Sequence, residues 1–67
     1  MLLYDKDGNE IKPNTIVKDF RGADVLFVAI TRNPGVSSAG STGRVLVELD
    51  DGSRREYFPS VIGGTIR

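Results

Sequence analysis

GRVLVELDDGSRREYF, Gly43–Phe58, carries the clearest structural signal in the chain. Val45, Val47 and Leu49 alternate with Arg44, Leu46 and Glu48, the two-residue period of a strand with one buried face. Asp51-Gly52 follows, a dipeptide suited to the backbone of a tight reversal, and SRREYF returns. The predicted unit is a β-hairpin.

Reading outward, Pro59 has no N–H to give a ladder, so the returning strand ends near Phe58. One helical turn, Ser60–Gly63, then leads into a last short strand, Thr65–Arg67. On the other side, residues 32–42 (RNPGVSSAGST) are rich in Gly, Ser and Pro and predict a mobile loop within one domain. Before it, Asp24–Thr31 (DVLFVAIT) is apolar on both faces, too short for a convincing helix and rich in β-branched residues. It reads as a strand. Thr15–Phe20 (TIVKDF) is a second, joined to it by a reversal at Arg21-Gly22-Ala23. Leu2–Tyr4 and Ile11 form a first short hairpin around Asp7-Gly8-Asn9, closed off by Pro13-Asn14.

Short strands at close spacing, Gly-marked turns and no amphipathic helix predict an all-β chain, a small barrel of five to six antiparallel strands with one helical turn before the last. Closure removes the sheet edges on which such chains aggregate. The expected core is Leu3, Ile16, Val17, Phe20, Val25, Phe27, Ala29, Val45, Val47, Leu49, Phe58, Val61 and Ile66, with register open where both faces are apolar.

With 67 residues the chain makes one domain, residues 1–67, of a size at which core burial barely offsets an ordering entropy of about 1.5 kcal/mol per residue. Neither Cys nor His is present, so disulfides, thiolate sites and imidazole ligands are excluded, and a homo-oligomer stays open as an aid to stability. Nine basic residues balance nine acidic ones, which argues against gripping nucleic acid or an anionic membrane by bulk charge while leaving a local basic face open. Met1–Tyr4 is interrupted by Asp5 too soon for a signal peptide, and no apolar run approaches the ~18 residues of a membrane span. The expectation is a cytoplasmic protein.

The element order, together with two local stretches, resembles the Src-homology-3-like barrel. Leu2-Leu3-Tyr4-Asp5 looks like that family's opening strand, and Tyr57-Phe58-Pro59-Ser60-Val61-Ile62 like its turn before the last strand. In peptide-binding members the resemblance implies a groove for a polyproline II ligand, built from a Trp, a Tyr of the opening segment, and the Pro and Tyr of the terminal turn. Here Tyr4 and Pro59 match, Ile62 replaces the turn Tyr, no Trp exists, and the acidic loop shrinks to Asp5, Asp7 and Glu10. A groove without its aromatic wall loses the surface on which proline rings pack, so the resemblance implies fold more than proline recognition. DKDGNEIKPNTIVKDFRGADVLFVAI and GRVLVELDDGSRREYFPSVIG are also similar to small orphan proteins of actinobacterial bacteriophages, which implies a phage accessory protein that binds something in the bacterial host cytoplasm.

Chemical motifs read as scaffold. DKDGNE resembles the opening of an EF-hand loop, but Gly8, Glu10 and Ile16 stand at loop positions 4, 6 and 12, where the calcium site needs other residues, so it is a hairpin turn. A Ser or Thr nucleophile needs a positioned base; without His only Lys6, Lys12 or Lys18 remain, and no enzyme is expected. Asp50 and Asp51 are turn formers, and no phosphate-binding glycine motif or cofactor signature is present. Arg54 and Arg55, with Arg44 on the partner strand and Tyr57 nearby, offer a basic and aromatic surface, although pairing with Glu48 and Glu56 across the hairpin is the plainer account.

The functional expectation is a protein-interaction module acting on a host or phage protein. Its contact residues would be Tyr4, Arg44, Arg54, Arg55, Tyr57 and Ile62, plus the loop 33–41 if it orders on binding. Two alternatives stand beside it: nucleic-acid binding through the Arg44, Arg54 and Arg55 face, and self-assembly through Leu46 and its neighbours on the outer sheet face.

Overall fold

The computed structural model describes residues 1–35 and 42–67, so residues 36–41 of the expected mobile loop lie outside the described residues. The described chain is all-β. Its strands are β1 (Leu3–Tyr4), β2 (Thr15–Lys18), β3 (Asp24–Arg32), β4 (Arg44–Glu48), β5 (Arg54–Tyr57) and β6 (Thr65–Ile66), with a 3-10 turn at Pro59–Ile62. All pairings are antiparallel: β2-β3-β4-β5 form a four-stranded meander and β1-β6 a two-stranded sheet.

Three reversals share one construction, and the sequence shows why. At Asp5–Asn9, Asp19–Ala23 and Leu49–Ser53 the first N–H donates to the carbonyl of the fifth residue, and the N–H of the fourth donates back to the first carbonyl. The fourth residue is Gly each time, with φ of 83°, 80° and 85°. This is the three-residue hairpin loop, a tight turn followed by a left-handed residue that only Gly enters cheaply. Carboxyl groups complete it. Asp5 Oδ1 accepts the N–H groups of Asp7 and Asn9, Asp19 Oδ1 those of Arg21 and Ala23, and Asp51 Oδ1 that of Ser53.

The core lies between the sheets. Val45 and Val47 on β4 face Val25 and Phe27 on β3, and Leu3, Ile11, Ile62 and Ile66 close the other side. The ends of the chain complete the enclosure through paired hydrogen bonds between Leu2 and Arg67, while Ile11 N–H donates to the Leu3 carbonyl. β3 carries register shifts between Phe27 and Ala29 and between Ile30 and Arg32. Bulges of this kind bend a long strand, as barrel-like closure requires.

Three expected core residues are corrected. Ile16 (65% exposed) stands opposite Leu26 on the outer face, because the inward places on β2 go to Val17, opposite buried Val25. Phe20 (75% exposed) falls inside the Asp19–Ala23 turn, where no sheet covers it. Phe58 (46% exposed) yields the inward place to Tyr57, which packs against the core. Ile11 and Ile62, absent from the expected core, fill it instead. Among the described residues, no helix is long and apolar enough to cross a membrane.

Candidate functional site

Where β4 begins and β5 ends, the ladder register decides what faces outward. Val45 pairs with Tyr57, so the side chains one step further along, Arg44 and Phe58, share the opposite face. The Arg44 guanidinium lies 3.9 Å from the centroid of the Phe58 ring, and one of its N–H groups donates to the Gly43 carbonyl at 2.9 Å. Across the other edge of β4, Arg44 is the register partner of Arg32 on β3. Like charges directly opposite in an antiparallel pair are destabilising. Neither arginine has a carboxylate within ion-pair distance among the described residues.

A second stack of the same kind stands on β1. The Arg67 guanidinium is 4.7 Å from the Tyr4 ring centroid, and Tyr4 pairs with Thr65 on β6. A cleft of about 240 Å³ is lined in part by Thr65, the register partner of Tyr4, and by Pro59, the chain neighbour of Phe58, while the four stacked residues themselves do not line it. Pro34, Thr42, Ser60, Gly64 and Ile66 complete its lining. A guanidinium held flat on a ring keeps in-plane N–H donors for an incoming acceptor, and the pairing is worth ~0.5–1 kcal/mol at an exposed site.

The structure divides the residues expected to bind. Tyr4 and Arg44 belong to the two stacks. Arg54 sits at the far end of the sheet opposite Glu48, with its Nε 3.3 Å from Glu48 Oε1. Arg55 pairs in register with Val47 and so takes the opposite face from Arg54, and Glu56 accepts a hydrogen bond from the Thr31 hydroxyl. Arg44, Arg54 and Arg55 are therefore not one basic face. Tyr57 is half-buried against the core, and Ile62, at 5% exposure, has no surface to offer a partner. Of the loop 33–41, residues 36–41 lie outside the described residues.

The electrostatics separate structural from available charge. Lys18 pairs with Asp24 at 2.6 Å, so this cation, like Arg54, is committed, whereas Arg21 reaches Asp19 only at 3.4 Å and stays largely exposed. For Asp19, burial would raise the carboxyl's pKa, but the Ala23 and Arg21 N–H groups and the charge of Arg21 outweigh it and hold it below the ordinary carboxylate value. Asp51 is also held low, chiefly by the hydroxyl and N–H of Ser53. Both shifts belong to turn construction. Among the described residues no group of three or more acidic or metal-ligating side chains gathers to hold an ion. The site offers guanidinium donors and flat aromatic faces.

Three residues of this surface, Arg32, Phe58 and Arg67, were not among those expected to bind. Phe58 and Arg44 were within reach of the hairpin register. Arg32 was not, because two bulges in β3 shift the β3–β4 register that places it opposite Arg44.

No protein-family profile matches the chain, and no solved structure matches it. A stretch of 39 residues, 58% of the chain, is 38% identical to part of a mitochondrial glutamyl-tRNA(Gln) amidotransferase component of Ajellomyces dermatitidis, and equally to that of Blastomyces gilchristii. The match spans 6% of the length of those relatives.

Proposed function

We propose that this chain is a non-catalytic interaction module that docks an acidic segment of a host or phage protein on the surface that carries the Arg44–Phe58 and Arg67–Tyr4 stacks. The observation that carries the reading is the Arg32–Arg44 register pair: two cationic residues stand opposite each other on neighbouring strands, and neither has a carboxylate within ion-pair distance among the described residues. An acidic segment offsets both charges on binding, while the Phe58 and Tyr4 rings supply apolar contact. Small barrels of the Src-homology-3 type, which the sequence resembles, bind extended segments beside the same Tyr and Pro positions, here Tyr4 and Pro59. The similarity to small phage proteins supplies the setting, a bacterial host cytoplasm.

Affinity capture from bacterial lysate, with and without nuclease, tests the reading when wild type is run beside Arg44→Glu and Phe58→Ala. A protein retained after nuclease and lost with both variants supports it. Retention that ignores both variants overturns it.

The second reading is a nucleic-acid strand on the same surface, with bases on Phe58 and Tyr4 and phosphates on Arg32, Arg44 and Arg67. The stacked aromatic and guanidinium pairs favour it, and the short stretch shared with a protein named for glutamyl-tRNA(Gln) amidation agrees with it. Capture that disappears with nuclease, and an affinity that falls steeply with salt, would put this reading first.

A further inference from the structure

The β2–β3 hairpin carries a projecting knob and, beside it, a hollow of complementary character. The knob is the Asp19–Ala23 turn: Phe20 is three-quarters exposed, and the Arg21 guanidinium lies 5.5 Å from its ring centroid. Arg21 contacts Asp19 only at 3.4 Å and is itself 63% exposed, so most of its donors face outward. The hollow, of about 320 Å³, has an apolar floor that includes Ile16, Leu26 and Leu49 and an acidic rim of Asp24, Glu48 and Asp50. Within the rim, Asp24 is held by Lys18 and Glu48 by Arg54, whereas Asp50 has no ion pair among the described residues. β2 lies at the edge of its sheet, so nothing in the described fold blocks approach from that side.

We infer that the chain forms a two-fold dimer in which the Phe20–Arg21 knob of each copy enters the Ile16–Leu26–Leu49 hollow of the other, with Arg21 meeting the partner copy's Asp50. The match is one of chemistry on both counts, an aromatic ring for an apolar floor and a guanidinium for the one uncommitted carboxylate on the rim. Knob and hollow adjoin, the hollow taking Ile16, Asp24 and Leu26 from the β2–β3 hairpin and Glu48, Leu49 and Asp50 from the end of β4 and just beyond it, so a two-fold axis between them satisfies both exchanges at once, as an isologous interface requires. The dimer also covers Ile16 and Phe20, two large exposed side chains that a domain of this size gains by burying. This surface is separate from that of the Arg44–Phe58 stack, and the inference does not rest on the proposed function.

Sedimentation equilibrium over a concentration series tests it. The expected mass rises from 7.3 kDa toward twice that value as concentration increases. Phe20→Ala, at an exposed position, should weaken dimerisation by at least thirtyfold, the effect of a central aromatic contact. Asp50→Arg and Arg21→Glu should each give monomers, and mixing the two in equal amounts should restore a dimer through the reversed ion pair. Circular dichroism of each variant establishes that it is folded. A single 7.3 kDa species through the millimolar range, a dimer indifferent to Phe20→Ala, or a mixture of the two charge variants that stays monomeric overturns the inference.

Discussion

Gly43, at the entry to β4 beside Arg44, allows the packing to be tested by comparison with a glycine that differs in one respect. Its φ is +87°, and a Cβ added there would meet the Arg32 carbonyl oxygen at 2.5 Å and Ile66 Cδ1 at 2.8 Å. Gly52, in the Leu49–Ser53 reversal, has nearly the same φ, +85°, but nothing within 4 Å of its Cβ position. Alanine at either site incurs the left-handed penalty of ~1–2 kcal/mol. Only Gly43→Ala also drives a methyl into a backbone oxygen held by the β3–β4 ladder, which cannot swing aside as a side-chain end can, and overpacking of that kind costs ~1–3 kcal/mol more. The excess, ~2 kcal/mol, corresponds to a Tm gap of about 8–16 °C in a domain of this size. Thermal melts followed by circular dichroism measure it directly. Asparagine, which tolerates positive φ, should restore most of the stability at position 52 and little at 43. Equal losses at the two sites would refute the reasoning, since they would mean that the Arg32 carbonyl does not crowd the Gly43 position.

Three further outcomes follow from the packing and the charges. Phe27→Ala removes a ring that is 2% exposed at the centre of the sheet and should cost ~3–5 kcal/mol, comparable with the whole stability of a 67-residue domain, so the variant should show little cooperative transition in urea. Ile62→Ser should destabilise by ~2–4 kcal/mol, whereas Phe58→Ser should leave the unfolding free energy from urea melts within ~1 kcal/mol of wild type and show its effect in partner capture; the reverse ranking would place Phe58, not Ile62, in the core. Asp19 has a carboxyl pKa below its unfolded value of 3.8, so as the pH falls the unfolded chain takes the proton first and the stability it contributes, full above that value, is lost through the folded pKa. The Tm advantage of wild type over Asp19→Asn should therefore be largest near neutrality and shrink below about pH 4, and an advantage independent of pH would show that the charge contributes nothing.

The reversals were legible because their cause is local. A glycine that must adopt φ near +80°, with an Asp one to three residues before it, specifies a hairpin from five consecutive residues, and DKDGN, DFRGA and LDDGS all do so. Alternation in Arg44–Glu48 likewise places Val45 and Val47 inward without reference to any other strand. Legibility failed where a residue's environment is built by distant chain. Ile16 and Phe58 are apolar enough for the core but lose their places to Val17 and Tyr57 by one step of register, and Ile11 and Ile62 become core only because the β1–β6 sheet closes over them.

The candidate site follows the same division. Tyr4 and Arg44 could be named from the chain, yet what makes them a site is their ring and charge neighbours, Arg67, Phe58 and Arg32, which lie 63, 14 and 12 positions away along the sequence. An all-β chain of antiparallel strands, its turns and a helical turn before the last strand were readable from the residues, because those depend on backbone preferences and hydrogen bonding over a few residues. That Ile62 is buried and that Arg32 stands in register with Arg44 emerged only with the fold, because the first depends on closure by the β1–β6 sheet and the second on a β3–β4 register that two bulges shift by amounts no local pattern encodes.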